Sequence, residues 1–264
     1  MSLVIGAITP HPPLLLASIG KEKTKQLAQT RQAFDELEGL VYSAKPDIII
    51  VISPHAPLAA DAFYINLSTH YDTDLKEFAD ISTKLTFTGD LELVSRFKQA
   101  ARDADIPIKL THHDALDYGT IIPLYFLMRH LPDARVVPVS YSLLDYETHF
   151  EFGRALQREI LNSNKRIAVV ASGDLSHRLT DDAPAGFSEY AGKLDKAIID
   201  AVTAADSKAL RDIDKKLISE GSECGLRAFI VLFGIFNSVN FSVSVLSYEH
   251  PFGVGYLVAK LSLE

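Results

Sequence analysis

DIIIVISPHAP, residues 47–57, decides how the rest of the chain is read. An acidic start, an unbroken β-branched run from Ile48 to Ile52 and a Ser-Pro stop describe a strand buried on both faces, the kind found in parallel sheets covered by helices. Outward from it, residues 3–9, 135–140 and 166–172 repeat the pattern of a short apolar run bounded by Pro, Asp or Ser. Between these runs, residues 21–44, 91–104, 148–161 and 187–205 place apolar side chains at three- and four-residue spacing; Leu27, Phe34, Leu37 and Val41 make one such stripe. Alternating strands and helices predict a largely parallel sheet covered on both faces. Residues 62–67 and 84–88 read as further strands, forming a hairpin beside the main sheet. Residues 241–262 read as two closing strands around the turn His250-Pro251-Phe252-Gly253. There is no internal repeat, low-complexity run or Pro/Gly/Ser linker. The expected fold is one α/β domain over residues 1–264: a central mostly parallel or mixed sheet flanked by helices, with a small β-hairpin or second sheet.

Composition narrows the function. The 264 residues carry a formal net charge of −8, which argues against a nucleic-acid or anionic-membrane partner. No run reaches the roughly 20 apolar residues a membrane helix requires. The opening MSLVIGAITPHPP lacks the basic and apolar regions of a leader. The single cysteine, Cys224, allows no intrachain disulfide and suits a reducing compartment, so a cytoplasmic protein is expected.

In open α/β sheets, ligands collect beyond the carboxyl ends of strands. His11 follows the first strand in TPHPPLL, His55 follows the second in SPHAP, and His177 follows the strand at 166–172 in ASGDLSH. Proline-stiffened loops hold an imidazole in one orientation, as a metal ligand requires. His70, His130 and His149 lack that context and read as surface or capping residues. In THHDALDYGT, Thr120 or Asp117 is a candidate cap for a helix over residues 121–129. EGSECGLRAFIVLFGIF opens with two carboxylates and the cysteine, then continues as an apolar helix whose first turn favours a carboxylate.

Taken in order, TPHPP, SPHA, LDYGT, SGDLSH and YEHPFGVGY resemble the catalytic-subunit superfamily of class III extradiol ring-cleavage dioxygenases, in the Memo-like branch associated with AMMECR1 domains. The resemblance implies a non-haem Fe(II) oxidoreductase of aromatic catabolism, which opens a catechol- or aminophenol-like ring with O2. Its facial triad would be His11, His55 and Glu223. Cys224, beside Glu223, is the third ligand that Memo-like proteins use, and it would suit Zn or Cu; Glu249 is held in reserve. His177 resembles the family's acid/base histidine, suited to moving a proton near neutrality, and Asp174 would orient the loop or fix a tautomer. Tyr118 stands where the dioxygenases carry a histidine, so His113 or its neighbour His112 would compensate. Pro12, Pro13, Tyr118 and Tyr248 are expected pocket walls. The alternative function is a Memo-like copper, zinc or iron protein acting as redox factor, chaperone or partner without ring cleavage. The resemblance also implies a homo-oligomer, a separate small subunit or an AMMECR1-like partner chain.

Overall fold

A computed structural model describes residues 2–264. Its strands are β1 (Leu3–Thr9), β2 (Ile48–Ser53), β3 (Phe63–Asn66), β4 (His70–Thr73), β5 (Thr86–Thr88), β6 (Ile108–Thr111), β7 (Ala115–Leu116), β8 (Arg135–Ser140), β9 (Ile167–Ser172), β10 (Phe241–Glu249) and β11 (Tyr256–Leu263). Its helices are α1 (Ala17–Gly20), α2 (Ala28–Ala44), α3 (Leu91–Asp103), α4 (Tyr118–Leu127), α5 (Tyr146–Leu161), α6 (Ala191–Thr203), α7 (Ser207–Arg211), α8 (Lys215–Gly221) and α9 (Leu226–Ile235).

Eight strands form one mixed sheet in the order β10-β11-β1-β9-β2-β8-β3-β6, and β5-β4-β7 form a small second sheet. Strands β1, β9, β2 and β8 are parallel neighbours at the centre. The β-branched run of β2 supplies both faces. Ile48, Ile50 and Ile52 join the core that includes Phe97 of α3, Phe152 of α5 and Phe229 of α9. Ile49 and Val51 join the core that includes Phe34 of α2 and Ile122 of α4. The result is a helix–sheet–helix sandwich.

The structure departs from the expectations in three places. Residues 62–67 and 84–88 do not form a hairpin: β3 enters the main sheet against β8 and β6, and β5 pairs with β4 in the small sheet. Short strands carry no local record of their partners, and the connection between these two contains β4, which takes the pairing edge of β5. The stretch 21–44 is broken: residues 21–27 wind as a tighter 3-10 turn, in which Thr24 donates to the Leu14 carbonyl, before α2 begins at Ala28. His149 is not a surface residue. It is buried in α5 against Phe63, with its ring nitrogens bonded to the Asp145 and Ser142 backbone, and burial lowers its pKa to about 4.

Candidate metal centre

The last residues of the central strands form a row of hydroxyls: Thr9 of β1 lies beside Ser172 of β9, and Ser53 of β2 beside Ser140 of β8. The sheet order places β9 between β1 and β2, so the loops carrying His11, Asp174 to His177, and His55 leave the same sheet edge side by side.

Each loop is tied down by its own strand end or its neighbour's. The His11 amide donates to Asp174 Oδ1 at 3.0 Å, and its Nδ1 lies 2.9 Å from Ser172 Oγ. Ser172 donates its hydroxyl proton to the Gly119 carbonyl at 2.6 Å, so towards His11 it can only accept. His11 Nδ1 therefore carries the proton, and Nε2 presents a bare lone pair. On the second loop, the His55 amide donates to Ser53 Oγ, and Ser53 donates to Asp117 Oδ1. Asp117, not Thr120, caps α4: its carboxylate also accepts from the Thr120 amide and hydroxyl. The chain packs so closely here that a Cβ on Gly119 would sit 2.5 Å from Ser53 Oγ and 3.2 Å from the His55 ring.

These supports bring His55 Nε2 to 3.0 Å from His11 Nε2. The Cys224 thiol lies 3.7 Å from His11 Nε2 and receives the Asp174 amide at 3.3 Å. His11, His55 and Cys224 thus present three ligand atoms within 4.8 Å of one another. Glu223 does not join them. It accepts from the Leu226 amide at 2.6 Å, within the first turn of α9, where orphaned N–H groups favour a carboxylate. Burial raises its pKa. Glu249 is also bound elsewhere, accepting from the Thr30 amide at the start of α2.

Asp174 and His177 flank the group. Asp174 Oδ2 lies 3.8 Å from His11 Nε2 and 4.0 Å from His177 Nε2. The His177 ring holds the Ser222 carbonyl through Nδ1 at 2.7 Å, as does its own backbone amide. Tyr118 stacks on His55 at 4.1 Å between ring centroids and meets His11 and Phe78 edge-on. His112 and His113 stand apart in an open cleft of about 500 Å³ that runs past Ala56, Pro57, Tyr64 and Asp117. Tyr248 is not at the site; its hydroxyl donates to the buried Asp195.

The electrostatics suit cation capture. Burial, then the nearby His177, lowers the pKa of His11 to about 3, so it is neutral at physiological pH. Desolvation of its inner edge and the facing His11 lower His55 to about 4. Burial raises the Asp174 carboxyl, and burial together with Asp174 and Glu223 pushes the Cys224 thiol well above its ordinary range. Two neutral imidazoles, a thiol and a carboxylate gathered at one edge of the sheet are a donor set that a cation would stabilise. Nitrogen and sulfur donors fit zinc, copper or iron, not magnesium or calcium.

Ser172, Ser53 and Asp117 were missed as functional supports from sequence. The signal was present: two strands that end in Ser immediately before a histidine loop or its neighbour. What could not be read was which strand lies beside which.

A parallel α/β sheet with a nitrogen–sulfur donor group at its carboxyl edge defines the class. Residues 5–259 match the family described as the catalytic LigB subunit of aromatic ring-opening dioxygenase, and the chain belongs to that family. It is similar to Protein CA_C1420 of Clostridium acetobutylicum, 28% identical over 99% of this chain and 58% of the relative. It is similar to the 2-aminophenol 1,6-dioxygenase beta subunit of a Pseudomonas species, at 26% identity over 66% of this chain and 63% of the relative. A MEMO1 family protein of Archaeoglobus fulgidus is 25% identical over 72% of this chain and 75% of its own length, which supports the Memo-like branch. The chain covers less than two thirds of the first two of these relatives. Among solved structures, the uncharacterized protein JW3007 from Escherichia coli K12 shares the fold, with a TM-score of 0.69 and 16% identity over 97% of this chain and 99% of that one. Among the described residues, no helix is long and apolar enough to cross a membrane.

Proposed function

We propose that the chain is a Memo-like metal protein whose centre is held by His11, His55 and Cys224, with Asp174 and His177 beside it. One observation carries this reading: the third donor facing the two imidazoles is the Cys224 sulfur, 3.7 Å from His11 Nε2, while the Glu223 carboxylate is turned to the Leu226 amide at the start of α9. A thiolate with two imidazoles favours copper or zinc over the hard-donor preference of ferrous iron. A bound transition ion would supply Lewis-acid or one-electron chemistry. The chain's own residues do the rest. Ser172 fixes the His11 tautomer so that Nε2 points to the ion. Tyr118 lies flat against one face of the His55 ring and fixes its orientation. His55 is solvent-exposed, and the two residues that follow it, Ala56 and Pro57, line the cleft.

A second reading is ring opening of a catechol or aminophenol with O2. It is favoured by the family's description and by His177, whose Nε2 faces the centre beside Asp174 and can accept a phenolic proton while Nδ1 stays on the Ser222 carbonyl. Tyr118 weakens it, because burial raises its pKa and a tyrosine there donates a hydrogen bond without ever carrying positive charge.

Metal analysis of anaerobically purified protein tests both. We expect about one transition ion per chain, lost in His11→Ala, His55→Ala and Cys224→Ala and kept in Glu223→Gln. Loss in Glu223→Gln but not in Cys224→Ala would overturn the thiol centre. Oxygen uptake with ring-opened product from a catechol and aminophenol panel would select the second reading. A separate subunit or AMMECR1-like partner chain belongs to the same proposal, supported by the beta-subunit relative and by the longer relatives.

A further inference from the structure

The open cleft beside the small sheet lies outside the donor group, since His11, His55 and Cys224 do not line it. Strand alternation builds its floor. Phe63 and Ile65 of β3 and Val137 and Val139 of β8 enter the core shared with α3, α5 and α9. Tyr64, Asn66, Pro138 and Ser140 therefore turn to the opposite face and line the cleft. On that face α2 and α4 pack over β1, β2 and β9, and beyond them residues 111–117 fold against β3. That segment is pinned. The Asn66 carboxamide donates to the His113 carbonyl at 2.7 Å and accepts the His113 amide at 3.1 Å, and Asp114 Oδ1 accepts from the Ser68 hydroxyl at 2.5 Å. The cavity is thus preformed, and its volume of about 500 Å³ suits a small molecule.

The lining decides the kind of ligand. It includes the carboxylates of Asp114 and Asp117 and, among the described residues, neither lysine nor arginine. Lys109, on the same face of β6 as Thr111, is held by Asp61 at 3.0 Å and stays outside the lining. Asp117 gives both oxygens to Ser53 and Thr120, whereas Asp114 Oδ2 has no hydrogen-bond partner among the described residues. The exposed imidazoles of His112 and His113 each add a lone pair when neutral. Ala56, Pro57, Leu116 and Pro138 form apolar walls, and Tyr64 adds an aromatic ring of the sort that attracts cations. Acceptors and negative charge around a half-apolar cavity repel an anion and match a cation. We propose that this cleft binds a small organic ammonium ion, a primary amine carried on an apolar body, at a site separate from the metal centre. Nothing in it depends on an ion at that centre.

The test is a titration of the full chain followed by amide NMR, with EDTA present so that an amine cannot act by coordinating a metal ion. The probes are benzylamine, protonated at about pH 7, its neutral counterpart benzyl alcohol and its anionic counterpart benzoate. Benzylamine is expected to bind saturably and about tenfold more tightly than benzyl alcohol, with benzoate weakest. Its affinity should fall at about 0.3 M salt, which screens the carboxylates. Shifts should centre on Tyr64, Asn66 and residues 111–117. Asp114→Asn should remove most of the preference for the amine and leave benzyl alcohol binding unchanged. That variant keeps an oxygen for the Ser68 hydroxyl, so it guards against a simple folding failure. Equal affinity for benzylamine and benzyl alcohol, a preference that survives Asp114→Asn, or shifts centred outside the cleft overturns the proposal, as does the absence of saturable binding. Each of those outcomes leaves the metal-centre reading standing.

Discussion

Ser172 has one hydroxyl proton, and the Gly119 carbonyl takes it. The tautomer of His11 therefore depends on a residue that never reaches an ion. Ser172→Ala removes the acceptor for Nδ1–H and should weaken metal affinity by about 10- to 100-fold, the usual cost of losing such support. A chelator competition titration reads this, and unchanged affinity would show that the tautomer is fixed in some other way. A second expectation concerns protons. His11 and His55, lowered to about 3 and about 4, are already neutral at pH 6, whereas the Cys224 thiol is held protonated. Binding of one ion should then release about one proton per chain between roughly pH 7 and 8, from the thiol, with affinity rising about tenfold per pH unit; Asp174, raised to about 6, adds to the release below that range. Calorimetry in buffers of differing ionisation enthalpy measures the release. In Cys224→Ser it should fall close to zero.

At the scale of elements, the centre is held where two backbones touch. A Cβ on Gly173, just after β9, would lie 2.1 Å from the Gly225 Cα at the entry to α9. Only glycine permits the Asp174 carbonyl to accept both the Cys224 and Gly225 amides and so lock the thiol loop to the strand exit. Gly173→Ala should therefore separate Cys224 from the two histidines, costing roughly 1–3 kcal/mol of stability as an overpacked contact does and most of the metal affinity; a melt and a metal titration test both. His149 gives a pH expectation for the α5 layer. Its folded pKa of about 4 lies below its unfolded value, so its contribution is full above about pH 6.5 and is lost as pH falls towards 4. His149→Gln should flatten that part of the stability profile, by on the order of 3 kcal/mol. The central strands were legible because their β-branched runs are local; β2, β8 and β9 fall within a residue of their expected bounds. Pairing was not. Nothing in residues 62–67 or 84–88 names a partner, and His149 shows no sign in sequence of being buried under Phe63. Strand exits single out His11, His55 and His177, and the structure brings the three loops to one edge of the sheet. The choice between Glu223 and Cys224 turned on one residue of helix entry, which periodicity does not resolve.

At the scale of the molecule, the donors come from opposite ends of the chain and meet at one edge of one sheet, so an ion there clamps the whole domain. Metal at about 100-fold above its dissociation constant should add about 2.7 kcal/mol. For a domain of this size that raises the melting temperature by about 5–10 °C in a single transition. Chelation should reverse it, and two separated transitions would show that the centre belongs to a part that melts alone. The position of β9 between β1 and β2 also sets an order in time. A growing chain that has released only its first 160 residues owns both candidate histidines but lacks the strand that spaces them, and the thiol at position 224 is later still. The proposed centre is therefore complete only after residue 224 has emerged, and a chain cut short before that point would lack its sulfur donor.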